Sequence, residues 1–391
     1  MRSFTSTDED LRIRENIYQE LMVLTKEVAG KYSRVEHERR VSVIHARLGK
    51  VYELRKDEKA EIYYKKSLEI SKGILEKYKN EQSYVDVAID YRVLAGLYMK
   101  FEDSSYNDQI HMLLMKSIEL AEYAATTYHS AYAKRCLGWS YMSMADFYEH
   151  CEDRENALRC YYKCKETRGD LLKGEHSNSD MLQYAYILYI LGNQYCEVDW
   201  DKAAAFYEER ITYMEKVVQE ERTASNVEEL GWSYHDAGYA HFSIGTLEHK
   251  QRALECYEKS NPIFEEILKR GERMYMLWVT AEDYSNCMDV LNEMDGVDNK
   301  LKLKKYALRS IALYEERANK LNTPQAYDTL DAVYASYAKY AGDTVVEEMC
   351  LKNRIALKEK VYEMTHDKVY KKEIAALKLS LSLISGIVKK L

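Results

Sequence analysis

His150, Cys151, Cys160 and Cys164 are the one place in this chain where metal-binding side chains gather in sequence. A structural zinc site needs four such ligands, with cysteines paired at short spacing. The eight cysteines (136, 151, 160, 164, 196, 256, 287 and 350) contain no CxxC pair, so neither a zinc ribbon nor a disulfide framework has a spacing to stand on. Cys160 and Cys164, four apart, share one helix face where a small buried residue is needed, and a free cysteine packs as a small hydrophobe. They read as reduced thiols, with no metal. His37, Glu38 and His45 lie on one charged helix without a further ligand at zinc spacing. A phosphate loop, a dinucleotide glycine pattern, an HExxH pair and a nucleophile elbow are all missing from the sequence. The expectation is a protein without catalytic activity or cofactor.

The elements that carry these residues are helical. Charged residues make up 31% of the 391 and alternate with Leu, Tyr, Ala and Met at helical spacing, without runs of alternating β-branched residues. With 15 glycines, 2 prolines and no linker-like stretch, one continuous all-α architecture is expected. A net charge of −8 argues against nucleic acid as the main ligand, because phosphate binding is dominated by Lys and Arg. No apolar run is long enough to span a membrane, and the opening MRSFTSTDED lacks a signal-peptide core, so no membrane role is expected and the cytoplasm is the default compartment.

A repeat underlies the helices. Leu48-Gly49-Lys50-Val51-Tyr52, Leu94-Ala95-Gly96-Leu97-Tyr98, Met144-Ala145-Asp146-Phe147-Tyr148 and Leu191-Gly192-Asn193-Gln194-Tyr195 share a large-small-x-x-aromatic form. A second element follows after a turn in several repeats: Ala60 and Tyr64, Ala157 and Tyr161, Ala203 and Tyr207, Ala253 and Tyr257, with Ser67, Cys164 or Ser260 three residues later and Arg210 as the exception. The small residues Gly49, Ala95, Ala145, Gly192 and Gly238, continued by Ser285 and Tyr334, recur every 46 to 50 residues. The pentamer Leu-Gly-Trp-Ser-Tyr occurs twice, at 137–141 and 230–234, each tryptophan six residues before its small marker.

The pattern resembles the tetratricopeptide repeat, with units of about 47 residues similar to those of kinesin light chains, and Gly174-Glu175-His176 resembles the turn between repeats in those proteins. The resemblance implies an α-solenoid, a right-handed superhelix of about seven helix pairs. The divisions are expected at 33–80, 81–130, 131–176, 177–223, 224–272, 273–322 and 323–366. Residues 1–32 form a half repeat, aligned through Lys31 and Tyr32, which is either a cap or the continuation of an upstream neighbour. Residues 367–391 form a capping helix with Ile374, Leu377, Leu381 and Ile384 on its buried stripe. Ser225-Asn226-Val227-Glu228 reads as a capping box and Asn322-Thr323-Pro324 as a helix start, while Pro262 should kink a helix near Glu258.

At about 100° per residue, one set of first-helix positions points away from the helix-pair core. By resemblance it lines the concave groove where partners of such repeats lie. It holds Lys50, Arg92 and, at its edge, Arg47 and Lys100; then Trp139, Tyr186, Tyr189, Asn193, Trp232, His235, Tyr239 and Phe242; then Glu282, Asn286, Asp289, Asp328 and Asp331. The groove so drawn is basic, then aromatic, then acidic, and an extended partner would lie with its acidic end at Arg92 and Lys100. Trp139 and Trp232 belong either to this groove, where truncation leaves stability nearly unchanged, or to the core, where it costs about 3–5 kcal/mol. A terminal-carboxylate clamp of the co-chaperone kind is disfavoured, because Asn193 is followed in the next repeats by Asp236 and Asp283. The expected function is a protein- or peptide-binding scaffold or sensor module. The alternatives are a regulatory subunit or sensor domain of an enzyme or multi-domain effector, or a regulator of the peptide-pheromone receptor kind.

Overall fold

The computed structural model describes residues 7–27, 34–174, 176–271, 274–294 and 297–388, and nearly all of them are helical. In order these are α1 (Asp8–Glu27), α2 (Arg34–Leu54), α3 (Lys59–Tyr78), α4 (Glu81–Met99), α5 (Asn107–Tyr128), α6 (Ala131–His150), α7 (Arg154–Leu172), α8 (Asn178–Tyr195), α9 (Trp200–Glu220), α10 (Ala224–Ile244), α11 (Leu247–Arg270), α12 (Met274–Asn292), α13 (Val297–Leu321), α14 (Pro324–Ala341), α15 (Thr344–Thr365) and α16 (Lys368–Val388). The fold is an all-α solenoid in which contacts run between helices adjacent or next-but-one in the chain. Two compact units are formed, Met1–Ile187 and Leu188–Leu391, the division falling inside α8. Lys31, Tyr32, Glu175 and the last three residues of the expected capping helix lie outside the described residues.

Polar side chains start the helices. Asn80, Ser130, Asp153, Asp199, Thr223, Thr246 and Thr323 each accept a hydrogen bond from the backbone N–H three residues on, satisfying a donor that has no partner inside the helix. Thr323-Pro324 opens α14 as the sequence predicts. The cap of α10 is Thr223 rather than Ser225: its hydroxyl takes the Asn226 N–H at 3.1 Å, which places Ser225 already inside the helix. Helix α11 continues through Pro262 to Arg270.

Small residues set the spacing within the pairs. A Cβ added at Gly49 would lie 2.6 Å from the Tyr64 ring, and one at Gly238 would lie 2.8 Å from the Tyr257 ring; Gly192 meets Tyr207 in the same way. Ala95 and Ala145 are fully buried at the equivalent sites. Tyr64, Tyr161, Tyr207 and Tyr257 are each no more than 2% exposed, so these rings cannot swing aside. Successive first helices also touch, α4 with α6, α10 with α12 and α12 with α14. The second helices of the second unit are instead bridged by long ion pairs: Arg252 to Glu208 at 2.7 Å, Lys302 to Glu258 at 2.9 Å and Arg309 to Glu265 at 2.6 Å. First helices therefore form the tighter, inner layer of that unit.

Gly238→Ala should lower stability by about 1–3 kcal/mol through overpacking against Tyr257. Gly73→Ala, in α3 with nothing within 4 Å of its added Cβ, should instead raise stability by up to about 1 kcal/mol through helix propensity. Urea midpoints of the two variants measure both effects.

Candidate functional site

Four hydrogen bonds fix how the first helices are phased. Tyr141 donates to Glu122 at 2.5 Å, Tyr334 to Glu315 at 2.6 Å, and Tyr234 to Glu215, in each case across 19 residues, and Tyr284 bonds Glu265 at the same interval. Tyr284 and Tyr334 are thus the counterparts of the pentamer tyrosines. The small-residue position of the last two pairs falls at Met288 and Ala338, not at Ser285 and Tyr334. Asp331 then occupies the place of Gly138 and Gly231, which faces the second helix. It is buried, with Arg354 at 2.8 Å and Lys358 at 3.4 Å, and Asp328 accepts from Lys358 at 2.9 Å and from Tyr370 at 2.7 Å. Neither aspartate belongs to an acidic end of a groove. Glu282, by the same phasing, holds the tryptophan position, and Asp289, half-buried, that of Asn193 and Tyr239.

In the first unit, α2, α3, α4 and α6 enclose a cleft of about 650 Å³. Its floor is a polar network: Ser42 bonds Ser67 and Ser71 at 2.9 Å each, and these two donate to Asp90 at 3.0 and 2.6 Å. Burial pushes the Asp90 carboxyl up to about 6 despite those bonds. Lys50, at 2.8 Å, and Lys100 both bond Glu53, which also accepts from Tyr64 at 2.6 Å. Burial would raise the Glu53 pKa, but these three donors hold it below the ordinary value. Arg39 lies 3.5 Å from Asp86. Arg92 is half-buried and its Nε has no hydrogen-bond partner. Trp139 is half-buried, its ring 4.7 Å from the Arg168 guanidinium, and Tyr186 is 50% exposed.

In the second unit the aromatic residues continue. Trp232, half-buried, packs on Phe264 with ring centroids 4.9 Å apart and stacks on Tyr275 at 5.6 Å, and Trp278 lies next to Tyr275 at 5.8 Å. Tyr239 is 46% exposed, edge-on to Trp200. Asn193 is exposed and accepts from Tyr207 at 2.5 Å; Asn286 donates to Tyr257 at 3.1 Å; Phe242 is half-buried against the core. Tyr275, Trp278 and Arg210 escaped the sequence reading. Arg210 had a signal, since it breaks the run of small residues: it reaches Asp236 at 2.6 Å and Glu229 at 3.2 Å and lies 4.8 Å from the Tyr189 ring.

The two pentamers are built alike. Gly138 makes room for Arg168, whose Cγ and Nε lie 3.3 Å from where a Cβ would be, and Gly231 for Ile263 and Phe264. The tryptophans lie on those same second-helix residues, Arg168 under Trp139 and Phe264 under Trp232. Each tryptophan is thus half-buried, packed on its second helix on one side.

Ser260, Asp283 and His235 bring together the three residue types of a hydrolase triad, in the wrong order. Asp283, fully buried, sits in the middle, accepting from Ser260 at 2.7 Å and pairing with His235 Nδ1 at 2.7 Å, so no base faces the serine hydroxyl. Burial would depress the His235 pKa, but the charge and hydrogen bond of Asp283, with Asp236 and Glu282 nearby, raise it to about 9. Around the thiols, Cys164 donates to the Gly138 carbonyl at 3.2 Å and takes Arg168 Nε at 3.4 Å. No group of three His, Cys, Asp or Glu placed to hold a metal occurs among the described residues, and no described helix is long and apolar enough to cross a membrane.

No family model matches the chain, and no curated protein matches it in sequence. Among solved structures, BtubC (BKLC) from P. vanneervenii is 17% identical with a TM-score of 0.48, over 67% of this chain and 93% of that one. The nuclear import adaptor Nro1 from S. pombe is 12% identical with a TM-score of 0.48, over 76% of this chain and 99% of that one. The apo quorum sensor NprR from B. thuringiensis is 16% identical with a TM-score of 0.37, over 88% and 83%.

The His235 imidazole should be protonated at pH 7, with nuclear magnetic resonance giving a pKa well above the ordinary 6.5. Because the folded pKa is raised, the stability it contributes is full below about pH 6.5 and is lost as pH rises through about 9. Asp283→Asn removes the largest of the raising influences and leaves burial opposed only by Asp236 and Glu282, so the imidazole pKa should fall and the alkaline loss of stability from this group should shrink and move to lower pH.

Proposed function

We propose that the chain is a non-catalytic scaffold that captures a protein or peptide along the inner face of its first helices. The observation that carries this reading is the Trp232, Tyr275 and Trp278 cluster, with Tyr275 56% exposed. Stiff aromatic rings that are packed on one side and open on the other anchor interfaces at low entropic cost. Arg210, Asp236, His235 and Glu282 around it supply polar groups, and Glu282, half-buried, has its carboxyl raised by burial, so a donor from a partner would relieve it. Trp139, Tyr186 and Tyr239 extend the same chemistry to other first helices.

The test is site-specific photo-cross-linking in cells. A photoreactive residue at Tyr186 or Tyr239, on first helices, should trap a discrete protein or peptide. The same residue at Ile62 or Leu308, which are 53% and 45% exposed on second helices, should not. Equal trapping from both layers, or trapping from the second helices alone, would dismiss the inner face as the binding surface.

A further inference from the structure

Arg168 is 2% exposed and has no carboxylate partner: its Nε meets only the Cys164 sulfur, its Nη2 has no hydrogen-bond partner, and Trp139 covers it. An unpaired buried guanidinium is strongly disfavoured unless something compensates it. Packing does not explain it, because the same position beneath the second pentamer is filled by Phe264, fully buried. Arg92 repeats the anomaly at the wall of the neighbouring cleft, where its Nε is also unpartnered. Burial lowers the Arg92 pKa, and the Arg168 charge lowers it further.

The remaining charges of the cleft that Arg92 lines are largely paired. Its three carboxylates are already satisfied, Glu53 by Lys50, Lys100 and Tyr64, Asp86 by Arg39 and Gln82, and Asp90 by Ser67 and Ser71. Arg47, on α2, is exposed. Arg92 and Arg47 are therefore cations of the cleft without a carboxylate of their own.

We propose that the Arg92 side of the cleft binds the carboxylate side chains of an acidic peptide segment, with Arg92 as the charge-assisted donor, the buried Arg168 charge behind it and Arg47, Lys50 and Lys100 as the surrounding field. The proposal rests on the reading of the inner face as a peptide-binding surface and names the chemistry of the partner there.

The probes are a blocked pentapeptide of three consecutive glutamates between alanines, its glutamine counterpart and inorganic phosphate, each titrated against the full chain at low salt with Trp139 fluorescence and calorimetry. The glutamate peptide should bind and the glutamine peptide should not, with affinity falling as salt rises. Arg168→Phe copies the second pentamer and should fold with unchanged circular dichroism and no lower melting temperature, yet lose about ten-fold or more in affinity, as should Arg92→Met. Binding of both peptides alike, binding of phosphate without the glutamate peptide, or unaltered affinity in folded Arg168→Phe and Arg92→Met would each overturn the proposal. If the glutamate peptide fails while Tyr186 and Tyr239 still cross-link a partner, this inference falls and the scaffold reading stands.

Discussion

A glycine or alanine held against a tyrosine ring is the contact on which the rest depends. At Gly49, Gly192 and Gly238 the ring of Tyr64, Tyr207 or Tyr257 fills the volume that a Cβ would need, so each pair closes to a distance that no larger side chain allows. Because the tyrosine comes from the second helix and the small residue from the first, the first helix is drawn in and its neighbours can touch. The second helices of the second unit are left to bridge their gap with Arg–Glu and Lys–Glu pairs. In that unit the first helices therefore form the inner layer.

Charge is handled differently on the two sides of the first helices. Toward the second helices, ionisable groups are consumed in structure: Asp331 and Asp328 by Arg354 and Lys358, and Tyr141, Tyr234 and Tyr334 by glutamates 19 residues earlier. Such groups repay their desolvation only when fully bonded. Satisfaction is incomplete at Arg92 and Glu282 on first helices and, as an exception on a second helix, at Arg168 beneath Trp139. A solenoid can carry these costs locally, because each pair is stabilised by its neighbours rather than by one shared core.

The paired pentamers show how one sequence string serves two purposes. Leu137 and Tyr141 are buried, Ser140 bonds Ser117 across helices at 2.8 Å, and Gly138 admits the second helix, so four of the five residues of the first copy are architectural. Trp139 is what remains for the surface. The residue beneath it, arginine in one copy and phenylalanine in the other, gives two otherwise equal platforms opposite chemistry.

Periodicity by itself determined that the chain is helical, that its helices come in pairs, and where the small–aromatic contacts lie, because those are local matters of spacing on a 3.6-residue helix. Only the tertiary structure decided the phase of the last two pairs. There the marker position is Met288 or Ala338, in segments that lack the large-small-x-x-aromatic form, and a shift of three or four residues along a helix leaves the hydrophobic pattern nearly intact while changing which neighbours a given side chain meets. Asp328 and Asp331 were misplaced for that reason. Tertiary structure alone also revealed that Arg168 is buried without a counter-charge, since whether a carboxylate stands opposite an arginine depends on residues far away in sequence that no local pattern records.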